Sequence, residues 1–532
     1  MQRLLHLPSL WIVSILIVFS LVLLLPIFFH PFFITHDGLV HIVRENAYAN
    51  ALIEMQFPPR WAPLLNFGYG SPIFLVFYPF AGYITALFHL LGLSLENSYT
   101  LLLIFSFILG PVFWFLWTKE LTNKNFAFVS SIFYTVMPYR FLTTLVRGSI
   151  GEILAYSLIP LIFYSVDAKN KKLLLGILAY TLILLSHNGV SLMITPIFVF
   201  YCLIRRHKLR TWLPILLFGL GISSYFWIPS LIESKYMSFL IFHKDMYKDH
   251  FLQLTSLFYS PWGFDDDVNK IGGLSPQVGI PALIVAVLGL YYFIKKRANE
   301  SILAFWIIVF LIGLFLSTNF SIFLWEKSDF LKKFQFPWRF MMLSSLSTAV
   351  LFSSLYKKIS IKFLVLLAFC SILYAIPFIK IIPSQTHKDS FYQHYRGSST
   401  FRAEATPIWS PGDPEREIKK NIEIIGGSGE IKNVSKKSIK HTFNSYSHDE
   451  LTILDNTLYF PGWNVYVDGK KVPVQFQDPH HQGLITFTIN KGNHFIEIIF
   501  EDTKIRMFSN MLSIGSVIVL LLIIGVKRSK NL

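Results

Sequence analysis

Charge and cysteine are both scarce in this chain. Charged residues make up 15% of its 532 residues, whereas soluble domains carry about 25%. An ordinary cytosolic protein is therefore excluded, because too little polar surface remains to face water. The two cysteines, Cys202 and Cys370, both lie in apolar runs, so the sequence supports neither a disulfide framework nor a thiolate metal site.

Acidic residues are also few relative to basic ones. The chain has 31 acidic and 47 basic residues, which gives a formal net charge of +16. This excess does not indicate a nucleic-acid partner, because the basic residues form short clusters between apolar runs instead of one continuous face. We interpret the clusters as signals that orient a protein in a membrane.

Long apolar runs, in contrast, are abundant. Hydrophobic residues make up 53% of the chain, and many runs approach the 20 or so residues that cross a bilayer. The first run lacks a signal-peptide cleavage site and is too long for a signal-peptide core, so we expect it to be retained. The sequence thus predicts a polytopic α-helical membrane protein with about twelve spans. We place them at roughly 10–29, 98–118, 126–142, 153–167, 173–186, 189–204, 213–232, 278–294, 302–318, 340–356, 362–379 and 508–526.

The basic clusters give this topology an orientation. With the N-terminus in the cytoplasm, every short basic cluster falls on the inner face, as the positive-inside rule requires. We therefore expect a multi-pass protein of the plasma membrane with both termini cytoplasmic. The inner residues are Arg3, Lys119, Lys124, Lys169, Lys171, Lys172, Arg205, Arg206, Lys208, Arg210, Lys295, Lys296, Arg297, Lys357, Lys358, Lys362, Lys527, Arg528 and Lys530.

Two stretches are ambiguous. Residues 72–92 are apolar but contain two prolines and a histidine, so we interpret them as a juxtamembrane or re-entrant element on the outer side. Residues 173–204 are too long for one crossing, and a turn at Ser186-His187-Asn188-Gly189 splits them in two. The alternative keeps 72–92 as a span and 173–204 as one helix, which moves several lysines outside.

The composition changes to polar and β-patterned between about residues 380 and 506. Ile485, Phe487 and Ile489 alternate with threonines, as in a half-buried strand, and Asp468-Gly469 is a hairpin signal. We expect a small extracytoplasmic β-sandwich here, with Trp463 more readily a core aromatic than a sugar-stacking surface. The predicted domains are a transmembrane domain at 1–379 with an outer loop at 30–97, the β-rich domain at 380–506, and a last span with a basic tail at 507–532.

Under this topology, polar side chains gather at the outer membrane face. Asp37 is the one that packing explains least, since a carboxylate at a bilayer boundary is costly, although an Asx-type turn with Gly38 is an alternative. Several arginines beside few carboxylates suit a phosphate-bearing ligand, because guanidinium forks match phosphate oxygens. The candidate substrate-binding residues are His36, His41, Arg44, Arg60, Arg140, Arg147, His187, Asn188, Trp338 and Arg339.

Structural alternatives stay open for several of these residues. Arg140 and Arg339 could anchor helices by snorkelling. Glu152, in the segment RGSIGE, could simply pair with Arg147. His187 could be a structural histidine of a helix turn.

The motifs together resemble a known family. The strings HDGLVH, FPPRWAPLLNFGYGSPIF, RGSIGE, LSHN and FQFPWRF resemble the YfhO-type branch of the GT-C class of glycosyltransferases. That branch is often labelled as related to 6-pyruvoyl-tetrahydropterin synthase. The C-terminal YFPGWNVYVDGKKVPV and GLITFTINKGNHFIEIIFEDTKIR, followed by a last span, are similar to it as well, so the resemblance covers most of the chain.

The resemblance implies a GT-C-like glycosyltransferase. Its donor would be a sugar linked to polyprenyl phosphate, a membrane lipid, and its acceptor an extracytoplasmic glycan, polymer, lipid or protein. Asp37 matches the first-loop catalytic carboxylate, Glu152 the second acidic position, and Arg60 the basic residue after a Pro-Pro pair. The first loop has no two-carboxylate metal motif, so we assign no metal or other cofactor and leave metal dependence open. The soluble region also lacks the histidine-built zinc site of a pterin synthase.

A mechanism can be stated from these residues. Arginines at the interface would stabilise the leaving phosphate, and Asp37 would deprotonate the acceptor hydroxyl, with inversion at the anomeric carbon. The alternatives are a lipid or glycan transporter or flippase, and a non-catalytic envelope-assembly protein. A transporter predicts ionisable residues near span centres. Here the charges lie at span ends, so the sequence favours the enzyme.

Overall fold

The computed structural model describes residues 9–30, 32–238, 245–270, 272–296, 301–400, 405–411 and 417–529. The basic residues Arg3, Arg297 and Lys530, used above to orient the chain, lie outside these ranges, as do both terminal ends. The described chain is mostly helical. It divides into two compact units, each described by itself below: the first comprises 1–39, 96–220 and 243–386, and the second comprises 40–95, 221–242 and 387–532.

The first unit is built from helices. The short strands β1, Phe33–Ile34, and β2, Ile382–Pro383, pair antiparallel within it. Its α-helices, which lie wholly or mostly in this unit, are Ser9–Leu23, Leu25–Phe29, Leu95–Leu121, Lys124–Thr135, Pro138–Phe141, Ile150–Asp167, Leu173–Ser186, Asn188–Ile204, Leu209–Ile222, Leu254–Phe258, Ile280–Lys296, Ser301–Ser317, Ile322–Lys327, Asp329–Lys332, Met341–Ser354 and Ile361–Ala375.

Several of the described helices suit a membrane. Four are long and apolar enough to cross one, or up to five if the bent pair Leu209–Ile222 and Ser224–Tyr236 counts as one span. The four are Leu95–Leu121, Ile150–Asp167, Ile361–Phe378 and Lys504–Val526. Shorter apolar helices of 10–17 residues accompany them: Ser9–Leu23, Leu173–Ser186, Asn188–Ile204, Ile280–Lys295 and Ser301–Ser317. The count of twelve spans stays a prediction.

Two helix breaks show how local sequence shapes the first unit. The helix breaks at His187, between Leu173–Ser186 and Asn188–Ile204, as the sequence predicted. The helix is interrupted within the span predicted at 126–142, because one helix ends at Thr135 and a new short helix begins at Pro138; the span itself stays a prediction. A proline has no N–H to donate and disfavours helix in the residue before it, so it starts a new helix more easily than it continues one.

The second unit contains the ambiguous stretch 72–92. Here a 3₁₀ turn, Ile73–Leu75, precedes the α-helix Pro79–Leu90. This helix has 12 residues, a length of about 18 Å against a hydrocarbon core of about 30 Å. It is too short to cross by itself, and the juxtamembrane or re-entrant placement of this stretch stays a prediction. The other α-helices of this unit are Gly38–Ile53, Ser224–Glu233, Asp389–Gln393 and Lys504–Ser529.

The C-terminal part of the second unit is β-rich, as predicted. Its strands are β3 Ile422–Gly426, β4 Gly429–Lys436, β5 Lys440–Ser447, β6 Leu451–Leu458, β7 Trp463–Val467, β8 Lys470–Val472, β9 Leu484–Ile489 and β10 Gly492–Phe500. They form two antiparallel sheets with the orders β4-β5-β10-β7-β8 and β3-β6-β9.

Side chains from both sheets share one hydrophobic cluster. Ile485, Phe487 and Ile489 all belong to it, as their alternation in the sequence predicted. Trp463 is 2% exposed within the same cluster, so it is a core aromatic and not an open sugar platform. The hairpin between β7 and β8 turns at Asp468-Gly469, where both residues have positive φ, 49° and 76°. These angles fit the type I′ turn that the Asp-Gly pair favours.

Candidate active site

The main chain of the first unit fixes the position of Asp37. The Asp37 N–H donates to the Arg147 carbonyl at 2.9 Å, and the His36 N–H donates to the Val146 carbonyl at 3.0 Å. Gly148 comes next with φ +61°, a left-handed conformation that glycine adopts at little cost. The segment that carries Asp37 is thereby held against the loop that carries Arg147.

Arg147 connects two carboxylates. Its Nη2 lies 3.3 Å from Asp37 Oδ2, and its Nη1 donates to Glu152 Oε2. The guanidinium lies over the ring of Trp338, with its carbon 4.9 Å from the ring centroid, a cation–π geometry. The Arg147 side chain is only 6% exposed, so these contacts are shielded from bulk solvent.

Glu152 and Asp37 differ in how open they are. Glu152 lies in the first turn of the helix Ile150–Asp167, where the helix dipole favours negative charge. Its oxygens accept from Arg147 and from the Tyr139 hydroxyl, and its side chain is 2% exposed. The Asp37 side chain is 34% exposed, and its Oδ1 has no hydrogen-bond partner among the described residues. Asp37 is therefore the carboxylate that a ligand can reach.

His187 caps a helix beside Glu152. Its Nδ1 accepts from the Val190 N–H at 3.2 Å, and its Nε2 lies 3.9 Å from Glu152 Oε2. Burial lowers the pKa of His187 to about 3, an effect that Glu152 opposes and Arg339 reinforces. The imidazole is thus neutral at ordinary pH, and its proton lies on Nε2 because Nδ1 accepts a hydrogen bond. His187 therefore caps a helix and also lies next to Glu152. Asn188 begins the next helix.

Arg339 and Trp338 lie in the 3₁₀ helix Pro337–Phe340, which precedes a long buried helix. Arg339 Nη1 donates to the Phe334 carbonyl at 2.9 Å and to Gln335 Oε1 at 2.8 Å. Its Nε is buried and has no hydrogen-bond partner in the part of the chain that the structure describes. Arg339 is therefore held in place while one of its donors stays unused.

A segment that the sequence reasoning did not single out contacts His36. His36 Nε2 lies 2.6 Å from the Phe264 carbonyl, and its Nδ1 lies 3.3 Å from Asp266 Oδ1. In the same segment, the ring of His250 lies 4.6 Å from that of Phe336. The acidic run GFDDDV was the available signal, but nothing local in it indicates a contact with His36.

Arg140 lies in the first unit, but its described contacts are with helices. Its Nη2 donates to the Phe107 carbonyl, and its guanidinium carbon lies 4.6 Å from the Phe107 ring and 4.8 Å from the Tyr134 ring. The residue is fully buried. These contacts favour the packing alternative over a ligand role.

The remaining candidates, His41, Arg44 and Arg60, lie in the second unit. The ring of His41 lies 5.5 Å from that of Phe77, and the Arg44 guanidinium lies 4.3 Å from the same ring while its Nη2 donates to the Ser399 carbonyl.

Arg60 is bound by protein groups of the second unit. Its Nη2 donates at 3.0 Å to both the Tyr225 carbonyl and Asn510 Oδ1, and its Nε lies 3.8 Å from Asp502. These contacts show that the Arg60 side chain stabilises the packing of the second unit. Within the described residues, no group of three or more His, Cys, Asp or Glu side chains could hold a metal ion.

A protein-family comparison identifies the chain. Residues 75–386 match the family described as 6-pyruvoyl-tetrahydropterin synthase related domain; membrane protein. The match covers more than half of the sequence, so the chain belongs to this family, and the resemblance drawn from its motifs is confirmed. No curated protein matches the chain in sequence.

Among solved structures, the chain is similar to two kinds of transferase. Arabinofuranosyltransferase AftD from Mycobacteria is 17% identical, with a TM-score of 0.42 over 70% of this chain and 26% of that one. The Archaeoglobus fulgidus oligosaccharyltransferase in its apo form is 14% identical, with a TM-score of 0.41 over 76% of this chain and 61% of that one. The same enzyme tethered with an acceptor peptide is 13% identical, with a TM-score of 0.41 over 73% of this chain and 55% of that one. The chain thus spans between about a quarter and three fifths of the length of these proteins.

Proposed function

We propose that this protein is a GT-C-like membrane glycosyltransferase that moves a sugar from a polyprenyl-phosphate carrier to an extracytoplasmic acceptor. The observation that carries the proposal is the contact of Arg147 with both Asp37 and Glu152, in which Asp37 alone stays partly exposed. One open carboxylate beside buried guanidinium groups is the arrangement that transfer from a phosphate carrier needs.

The roles follow from the geometry. Asp37 accepts the proton of the acceptor hydroxyl, and the hydroxyl oxygen attacks the anomeric carbon. The bond from that carbon to the carrier phosphate breaks, and its electron pair leaves with the phosphate. In-line attack inverts the anomeric configuration.

The cations stabilise the leaving phosphate. Arg147 supplies buried positive charge for the developing charge of the phosphate, and Arg339 adds an Nε donor that has no hydrogen-bond partner among the described residues. Donors held in place before the reaction need no reorganisation during it. Glu152 and Trp338 hold Arg147 in position, so we assign them positioning roles in this scheme.

The proposal includes the predicted topology. The protein lies in the plasma membrane with about twelve crossings and cytoplasmic termini, and its two β-sheets pack as an extracytoplasmic sandwich. The acceptor is a glycan, polymer, lipid or protein on the outer face. Alternating basic clusters support this orientation.

Purified protein and a panel of radiolabelled polyprenyl-phosphate sugars test the proposal. We expect one donor to be consumed by the wild-type protein and not by Asp37→Asn. Asp329→Asn is the matched control, since Asp329 is 95% exposed and pairs only with Lys332 among the described residues. If no donor is consumed, or if Asp37→Asn consumes it at the wild-type rate, the proposal is wrong.

A further inference from the structure

The second unit contains a cleft of about 520 Å³ that the proposed reaction does not use. This volume lies in the range of about 300–1,000 Å³ that is typical of small-molecule sites. The helix Gly38–Ile53 forms one wall. The other lining residues come from the segments 63–68, 392–396, 418–421 and 436–438.

The helical wall presents a polar stripe. Asn46, Asn50 and Glu54 follow one another at intervals of four residues, which places them on one helix face. The Asn46 amide donates to the Tyr392 carbonyl at 3.2 Å, and Glu54 accepts from the Ser438 N–H at 2.7 Å. Between these two anchored ends, the Asn50 side chain has no hydrogen-bond partner among the described residues, although it lines the cleft.

The opposite wall is cationic. Lys419, Lys436 and Lys437 line the cleft, and none has an ion-pair or hydrogen-bond partner for its side chain within the described ranges. The Lys436 Nζ is buried without a hydrogen bond. Burial lowers its pKa, an effect that Asp455 partly opposes. An ammonium group removed from water in this way is stabilised by an anion.

Among its described lining residues, the cleft has little acidic charge to neutralise these lysines. Its carboxylate, Glu54, is occupied by both the N–H and the hydroxyl of Ser438. Arg396, a further cation of the lining, lies 3.4 Å from Glu417. The described residues that line the cleft therefore carry a net positive charge.

A loop that adjoins the cleft, residues 66–68, is held in an uncommon conformation, and its Gly68 lines the cleft. Asn66, Phe67 and Gly68 have successive positive φ angles of 53°, 59° and 91°. Left-handed conformations of residues other than glycine cost energy and cluster at ligand-binding sites. Here the Phe67 N–H donates to the Arg396 carbonyl, and the Phe67 carbonyl accepts from the Ile418 N–H at 3.2 Å. This loop is thus held in place by main-chain hydrogen bonds to two segments that also line the cleft.

We propose that this cleft binds a segment of an acidic saccharide, a short chain of sugar rings that carries carboxylate groups. The lysines meet the carboxylates, the amides of Asn50 and Asn421 meet ring hydroxyls, and the partly buried Tyr395 offers a face to a sugar ring. Free amides, an aromatic and unpaired ammonium groups together suit this ligand better than a neutral sugar or an inorganic anion. The inference goes beyond the proposed transfer reaction and does not depend on it.

Binding to the detergent-purified full-length protein tests this inference. The probes are trigalacturonate, the neutral maltotriose, and inorganic phosphate, each titrated by microscale thermophoresis. We expect saturable binding of trigalacturonate only. Lys419→Ala and Asn50→Ala should weaken it, the lysine change by about tenfold or more, as expected for loss of a charge-assisted hydrogen bond.

Lys471→Ala is the matched control, because Lys471 is exposed on β8 of the same domain and does not line the cleft. It should bind trigalacturonate like the wild type, and so should Asp37→Asn, even if the proposed transfer reaction proves wrong. Absence of saturable binding, equal binding of maltotriose, or wild-type affinity in Lys419→Ala would overturn the inference. Displacement of trigalacturonate by phosphatidylglycerol in the micelle would instead assign the cleft to lipid headgroups, and would also overturn it.

Discussion

Asp37→Asn and Glu152→Gln should separate catalysis from stability. Both carboxylates contact Arg147, but the Asp37 side chain is 34% exposed and that of Glu152 is 2% exposed. Each substitution removes one negative charge and nearly preserves side-chain shape. We expect Asp37→Asn to abolish transfer in a normally folded protein. We expect Glu152→Gln to lower the free energy of unfolding, whatever its effect on catalysis.

The difference in exposure sets the magnitudes. The contact of Asp37 with Arg147 is 3.3 Å long and partly exposed, and such an ion pair contributes about 0.2–1 kcal/mol to stability. Loss of a general base lowers the rate by about 10²–10⁴-fold. Breaking a buried ion pair costs about 3–5 kcal/mol, because the remaining charge stays buried. For Glu152→Gln we expect a loss of stability at the lower end of this range, about 3 kcal/mol, because Arg147 still contacts Asp37.

Two measurements on the same preparations check this. Thermal unfolding followed by tryptophan fluorescence reports stability, and consumption of a radiolabelled donor, at equal concentrations of folded protein, reports transfer. Asp37→Asn should unfold within a few degrees of the wild type, and Glu152→Gln clearly lower. Retained turnover in Asp37→Asn would remove its role as base, and wild-type stability in Glu152→Gln would show that the buried pair contributes nothing to folding.

Two further predictions concern the second unit. Glu45 is 3% exposed, both its carboxylate oxygens lack partners among the described residues, and burial raises its pKa well above the usual value. A carboxyl whose pKa is raised by folding makes stability fall as the pH rises from the unfolded pKa of about 4.3 towards the folded pKa, by up to about 1.4 kcal/mol for each pH unit. Glu45→Gln should therefore be more stable than the wild type at pH 8 and lose this advantage near pH 4. If the melting temperatures of the two proteins differed by the same amount at every pH in this range, the raised pKa of Glu45 would be refuted. Arg506 donates from Nε to Glu233 Oε2 at 2.8 Å, with both side chains at most 1% exposed, so Arg506→Met should cost about 3–5 kcal/mol. The double variant with Glu233→Leu should recover most of this loss in the same melting assay, and an unchanged melting temperature in the single variant would contradict the account.

Much of the candidate site could be anticipated from the sequence. Arg147 lies in the loop just before the helix Ile150–Asp167, and Glu152 lies in the first turn of that helix, so their pairing was a local expectation. Asp37 is more than 100 residues away, and only the charge pattern of the spans put it on the same face. The structure brings all three into contact.

For two other arginines, the sequence alone could not distinguish a ligand-binding role from a structural one. Arg140 was a candidate for ligand binding because of its residue type and its position near a span end, and Arg60 because it is a basic residue that follows a Pro-Pro pair. Their partners are the Phe107 carbonyl for Arg140 and the Tyr225 carbonyl and Asn510 for Arg60. A guanidinium group suits a protein carbonyl as well as a phosphate, so residue type alone could not distinguish these roles.

Local properties of the chain determined the membrane class, the helix break at His187 and the hairpin at Asp468-Gly469, because hydropathy and backbone preference act over a few residues. Only the tertiary structure decided that one arginine serves two carboxylates and that the lysines of 419–437 face a helix nearly 400 residues earlier in the chain. Those arrangements depend on which distant segments pack together. The free energy of that packing is spread over many side chains, so no short sequence motif predicts it.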